Sequence, residues 1–175
     1  MTDAEIAKGC RGGDPRAVRA MVEIYYDKVF RVAHTLTGDP HWAEDLTQET
    51  FTAAIRAVLS FRGESGLFTW LVAVLRRQWL YRRRREGRIK VMPELDHAGA
   101  APEEDRDRRD AREELHAAFG RMDEEDRAIL ELFYIEQMRY HEIAAALEIP
   151  IGTVKSRLHG ARQKLKGLIE GSHAM

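Results

Sequence analysis

The chain has 175 residues, 44% hydrophobic and 33% charged, with 28 Lys and Arg against 29 Asp and Glu for a formal net charge of −1. That length allows one domain or two small ones, the apolar share suits a packed core rather than a disordered chain, and the balanced charge gives no bulk attraction for a polyanion. One cysteine excludes an internal disulfide and a multi-cysteine zinc site, and the seven histidines lack metal-ligand spacing. No apolar run approaches membrane-spanning length, and no basic-then-apolar leader follows Met1, so the expectation is a cytoplasmic protein without membrane insertion.

Helix punctuation dominates the pattern. Thr2 and Glu5 have capping-box spacing for a short helix ending near Gly9, and Cys10 beside it reads as a packing residue. Asp14-Pro15 starts a second helix carrying Val18, Met21, Val22, Tyr25, Val29, Val32, Ala33 and Leu36 at helical spacing, with Gly38 as its stop. Asp39-Pro40 starts a third, with Trp42, Leu46, Phe51, Ala54, Ile55 and Val58 inward. A short loop over 61–66 leads to a helix over 67–85 with Phe68, Leu71, Val72, Leu75 and Trp79. Trp70 reads as core, while Trp79 is open between core and ligand because it lies in a basic stretch. Residues 87–102, with two Gly and two Pro, mark a linker. Helices resume over 103–119, after Asp123, over 140–147 and over 152–169, and no alternating run suggests a sheet.

The neutral total hides segregated charge. Residues 76–90 hold eight Arg or Lys and one acid, residues 93–114 nine acids and four Arg, and residues 152–170 five basic residues and one acid. Solvated helix faces explain ordinary charge runs, but Arg82 to Arg85 puts four guanidiniums side by side, as a surface for a polyanion would. Near the C-terminus, Ile143, Ala144 and Leu147 line one helix, Pro150 breaks it, and Val154, Leu158, Ala161, Leu165 and Leu168 line the next. The outer face of that second helix carries Lys155, Ser156, His159, Arg162 and Lys166. This is a helix-turn-helix pattern, with Thr153 and Ser156 near a helix N-terminus where phosphate is favoured; an ordinary amphipathic terminal helix has the same period.

Two separated stretches resemble one family. Gly152-Thr-Val-Lys-Ser-Arg-Leu-His159 resembles the C-terminal signature of extracytoplasmic-function (ECF) sigma factors of bacterial RNA polymerase, group IV of the sigma-70-like family. Ala43-Glu-Asp-Leu-Thr-Gln-Glu-Thr-Phe51 and Phe61-Arg-Gly-Glu-Ser-Gly-Leu-Phe-Thr-Trp-Leu71 resemble region 2 of that family. The resemblance implies an all-α chain of two small helical domains joined by a flexible acidic linker: region 2 over 1–90, linker over 91–112, region 4 over 113–170. Residues 171–175 look like a vector-derived tail.

By motif match, Glu44, Asp45, Gln48 and Glu49 are expected to meet the clamp helices of the largest polymerase subunit. Arg62, Gly63, Glu64, Ser65, Phe68, Thr69, Arg76, Arg77, Arg82, Arg83 and Arg84 are expected at the −10 element, where an unstacked base is captured and the duplex melts. Thr153, Lys155, Ser156, Arg157, His159 and Arg162 are expected at the −35 element. Region 4 would also touch the flap of the second-largest subunit, and an anti-sigma factor is a further implied partner. No cofactor or metal is implied, and the role is that of a non-catalytic specificity subunit. The chain departs from the family pattern at Glu148, where Gly is frequent in the turn, at Gly160, where Arg is frequent, and at Arg77, where Asn is frequent. A stand-alone helix-turn-helix regulator is the alternative; it would leave residues 43–71 as mere scaffold. No nucleophile–base pair or phosphate loop supports an enzyme.

Overall fold

Capping side chains stand where the sequence places them, and each opens a helix. The structure, a computed structural model, describes residues 1–86 and 106–172, and side chains over 1–85 and 111–171. In α1 (Asp3–Arg11), Glu5 N–H donates to Thr2 Oγ1 at 3.3 Å and Thr2 N–H to Glu5 Oε2 at 2.7 Å. Asp14 accepts from Arg16 N–H at 2.9 Å to open α2 (Pro15–Thr37), which stops at Gly38 with φ +71°. Asp39 accepts from Trp42 N–H at 2.7 Å to open α3 (Pro40–Ala57). A 3-10 turn over Val58–Ser60 and the loop at 61–66 then lead to α4 (Leu67–Glu86).

Ile6 of α1, Met21 and Val29 of α2, Leu46 of α3, and Leu67, Leu71 and Leu75 of α4 are fully buried together in the first unit. Thr47 and Thr50, also buried, donate their hydroxyls to Ala43 O and Leu46 O at 2.7 Å, so neither leaves an unpaired group inside. Ile55, expected inward, is 40% exposed. The buried stripe of α3 runs through Ala43, Leu46, Thr47, Thr50 and Ala54, and one further residue of rotation turns Ile55 out. Trp79 is core, 2% exposed, with the Arg83 guanidinium 5.0 Å from its ring. Trp70 is half-buried against Phe61, ring centroids 5.2 Å apart.

The second unit comprises α5 (Arg106–Gly120), α6 (Glu124–Leu130) continued by a π turn over Glu131–Ile135, α7 (Tyr140–Leu147) and α8 (Ile151–Ser172). α5 begins at Arg106, inside the segment 91–112 expected as linker and inside the helix expected over 103–119, a stretch without Gly or Pro. Residues 91–105 of that segment lie outside the described residues. Of the expected tail, Gly171 and Ser172 continue α8 and the last three residues lie outside the description. Asp123 holds the N-cap position of α6 but makes no capping bond; its carboxylate accepts from Lys164 Nζ at 3.1 Å instead.

The two units pack through α2 against α6 and α4 against α7. Arg127 is buried at this junction, its Nε donating to Thr35 O at 3.1 Å and its Nη1 to Met122 O at 2.8 Å. The Glu136 side chain, 1% exposed, accepts from Arg31 Nε at 2.9 Å and Nη2 at 2.6 Å. Glu131 is buried nearby, and its Oε1 finds no partner among the described residues. Desolvation, with the Glu136 charge adding and Arg31 partly offsetting, pushes the Glu131 carboxyl up to about 7.

A raised carboxyl pKa means that the folded state holds a proton the unfolded state releases. Its contribution to stability is complete below the ordinary carboxyl range and is lost as pH rises from about 4.5 through about 7. Thermal denaturation at pH 6 and pH 8 tests this. The native chain is expected to lose more stability than Glu131→Gln over that step, because the amide stays neutral; equal losses would show that Glu131 does not titrate there.

Candidate nucleic-acid interface

Glu44, Asp45 and Gln48 project into solvent from α3, and Glu49 is half-buried beside them. The pattern is local: with Leu46, Thr47 and Thr50 buried, the positions between them must face out. Gln48 Nε2 donates to Glu44 Oε1 at 3.4 Å, and Arg82 of α4 donates to Glu49 Oε1. Asp45, Gln48 and Glu49 thus line an open cleft between α3 and α4 with Arg56, Gln78 and Arg82. Arg82, expected on the DNA side, is held by an acid expected on the polymerase side.

The loop presents Arg62, Gly63 and Glu64 to solvent, with Ser65 half-buried. Gly63 has φ +77°, a conformation open to Gly and strained for other residues. Phe61, buried, offers its carbonyl to Arg11 Nη1 at 3.2 Å. Leu67 N–H donates to Asp3 Oδ2 at 2.8 Å, and Tyr25 OH donates to Asp3 Oδ1. Asp3 and Arg11 are functional candidates that the sequence reading missed; both act across 50 or more residues, and no local motif signals such a contact. Burial, aided by the Asp3 carboxylate, pushes the Tyr25 phenol well above its ordinary range. Phe68 is half-buried, stacked on Tyr25 at 6.1 Å, with Lys28 Nζ 5.3 Å from its ring. Thr69 is buried, its hydroxyl 3.9 Å from where a Cβ on Gly66 of the loop would stand.

Along α4, Arg77 and Arg84 are exposed, and Arg76, Arg82 and Arg83 half-buried. Arg77 pairs with Glu148 at 3.0 Å, and Arg83 lies 4.0 Å from Glu124, both acids belonging to the second unit. Glu148 takes the left-handed conformation, φ +51°, at the turn between α7 and α8. The two departures from the family pattern at Arg77 and Glu148 therefore meet each other. Exposed pairs of this kind contribute at most about 1 kcal/mol, so a phosphate can replace the carboxylate.

In α8, Val154, Leu158 and Ala161 are buried, which turns Lys155, Ser156 and His159 out, with Thr153 half-buried. Ser156 Oγ donates to Thr153 O at 3.1 Å. Arg162, expected on the outer stripe, and Arg157, expected at the −35 element, are both engaged within the unit. Arg157 Nη1 donates to Glu125 at 2.8 Å, and the Arg162 guanidinium lies 5.3 Å from the Phe133 ring and 5.4 Å from the Tyr134 ring. Arg162 also borders an apolar groove of about 610 Å³ that Leu115, Phe119, Tyr134, Ile135 and Leu165 line between α5, α6 and α8.

Two helical units, one with an exposed basic helix after the turn at Glu148 and one with a basic helix beside a solvent-exposed loop, present two separate surfaces suited to a polyanion. The Sigma-70 region 2 family matches residues 21–89 and the Sigma-70 region 4 family residues 112–165. The chain is 30% identical over 176 residues to the RNA polymerase sigma-H factor of Pseudomonas aeruginosa, covering 93% of this chain and 91% of that one. It is 37% identical over 164 residues to the ECF RNA polymerase sigma factor SigE of Mycolicibacterium smegmatis, 88% of this chain, and spans 63% of that relative's length. The fold is shared with the sigma factor RpoE in complex with the anti-sigma factor NepR from Bartonella quintana (TM-score 0.72, 24% identity, 87% of this chain and 96% of that one). It is shared also with CnrH in complex with the cytosolic domain of CnrY (TM-score 0.71, 22% identity, 97% of each chain). The chain belongs to the ECF group of sigma-70-like RNA polymerase sigma factors.

The geometry separates the roles of two basic residues in α8, Arg162 and Lys155. Arg162→Ala is expected to cost about 0.5–2 kcal/mol in urea denaturation through its aromatic contacts, with little selective effect on duplex DNA binding. Lys155→Glu is expected to do the reverse.

Proposed function

We propose that the chain is the promoter-specificity subunit of RNA polymerase: it binds the core enzyme, directs it to −35 and −10 elements and promotes melting, with no catalysis and no cofactor of its own. The observation that carries this reading is one chain with two exposed basic faces on separate units, one beside an acidic helix face. Glu44, Asp45, Gln48 and Glu49 supply carboxylates and amides for basic groups of the clamp helices. Lys155, Ser156 and His159 reach −35 base edges, where a well-formed contact discriminates by about 1–3 kcal/mol. The loop at 62–66 receives an unstacked −10 base, and Arg76, Arg77 and Arg84 hold phosphates of the adjoining strand, Arg77 by exchanging Glu148 for phosphate. The binding is then salt-dependent through counterion release.

In this reading region 2 spans 1–90, the linker 91–112 and region 4 113–170, and the molecule works in the bacterial cytoplasm; among the described residues no helix is long and apolar enough to cross a membrane. The groove between α5, α6 and α8 suits a helical segment of a protein partner, the polymerase flap or an anti-sigma factor.

Two measurements test the reading. Purified chain with core polymerase and a randomised promoter library is expected to yield transcripts that start downstream of a shared two-block motif; duplex binding without transcription would favour an independent regulator. Replacing Asp45, Gln48 and Glu49 together by Ala is expected to weaken core binding roughly tenfold or more while circular dichroism stays helical, since these side chains are largely in solvent. Unchanged affinity would remove the clamp assignment.

A further inference from the structure

The loop at 61–66 is anchored at both ends to α1. At its start, the Phe61 ring is buried against Trp70 and the Phe61 carbonyl accepts from Arg11 Nη1 at 3.2 Å. At its end, α4 opens after Gly66, which has no side chain to cap a helix. The missing acceptor comes from Asp3, 64 residues away in sequence, whose Oδ2 takes Leu67 N–H at 2.8 Å. The other oxygen of the same carboxylate accepts from Tyr25 OH, and the Tyr25 ring stacks on Phe68. One carboxylate therefore fixes the start of α4 and the aromatic pair behind the loop.

α1 is itself held firmly. Ile6 and Ala7 are buried, and α1 approaches α2 so closely at Gly9 that an added Cβ would stand 2.4 Å from Ala17 Cβ. Between the anchors only residues 62–66 are left to meet a ligand, and Arg62, Gly63 and Glu64 face solvent. α1 precedes the residues matched by the region 2 family, which begin at 21.

We infer that Asp3 and Arg11 are positioning residues for promoter melting, holding both ends of the loop so that its backbone is set to receive an unstacked base of the −10 strand. This rests on the reading that the loop meets that strand. Melting without ATP requires base capture to offset lost stacking. A loop ordered only on binding would give up conformational entropy at that moment, and a loop already anchored by α1 has given it up on folding. The effect is confined to the melted strand; the −35 duplex and the polymerase meet other surfaces.

The test uses the full chain with core polymerase and a promoter from the selected library, with 2-aminopurine replacing a −10 base of the nontemplate strand. Asp3→Ala and Arg11→Ala are each expected to slow the rise in 2-aminopurine fluorescence roughly tenfold, the size of losing a charge-assisted hydrogen bond. Core affinity and −35 duplex affinity should stay at the native level. Asp3→Asn, whose amide oxygen still accepts from Leu67 N–H, should recover most of the rate. Tyr25→Phe, which keeps the cap on α4, should lower stability with little effect on melting. Equal losses in melting, core binding and −35 binding would show a merely structural role and overturn the inference. Gly63→Pro, which cannot adopt the positive φ of the loop, separates the remaining cases. Native melting in Asp3→Ala and Arg11→Ala with slow melting in Gly63→Pro would overturn the inference and leave the loop reading standing. Native melting in all three would remove both.

Discussion

Arg127 carries its guanidinium into the interior, 3% exposed, and gives two donors to the Thr35 and Met122 carbonyls. Burial lowers its pKa and the Glu124 and Asp123 carboxylates partly offset this, so the charge is tolerated with its donors satisfied and acids nearby. Thr35 O lies in the last turn of α2, the negative end of that helix, where a cation is favoured. Breaking this contact would leave a buried guanidinium donor unsatisfied, which costs more than the contact contributes. The docking of the two units is therefore set at α2: Arg31 and Lys28 come to face Glu136, Glu131 is closed off from water, and α7 lies along α4.

Helix packing, within each unit and between them, explains how a chain of net charge −1 carries two basic faces. The acids stand opposite the bases across short gaps: Glu49 at Arg82, Glu148 at Arg77, Glu125 at Arg157, and Asp123 at Lys164. Most of these pairs are at least partly in solvent, where an ion pair is weak and screened by salt. The charged faces are thus held in place without being committed, and a phosphate chain competes on better terms than a single carboxylate. Lys155 and His159, with no ion pair among the described residues, stand ready on α8, while Arg162 is kept from that face by Phe133 and Tyr134.

Much of the helical architecture was legible locally. Thr2, Asp14 and Asp39 cap their helices through their own neighbours, and the spacing of Leu67, Leu71 and Leu75 or of Val154, Leu158 and Ala161 allows one buried face. The exposed acids of α3 and the exposed residues of α8 follow from that same period, so those candidates were readable as surface. The resemblance in residues 43–71 and 152–159 gave the family, because two short patterns in fixed order are far more specific than either alone.

What lay beyond the sequence were contacts whose partners are distant in the chain. Asp3 reads locally as a first-turn acid of α1, yet its carboxylate serves α4 and Tyr25. Trp79 was ambiguous because an indole in a basic stretch suits either core or DNA, and only the packing of α4 buried it. Ile55 has the right period for the core but lies at the edge of its stripe, where the neighbouring helices decide exposure. The sequence by itself determined where the locally capped helices α1, α2 and α3 start and which residue types face out, since both depend on neighbours within a turn or two. The tertiary structure alone decided which charges are paired, which arginines remain available and what anchors the loop, because those depend on groups that meet only when separate helices pack.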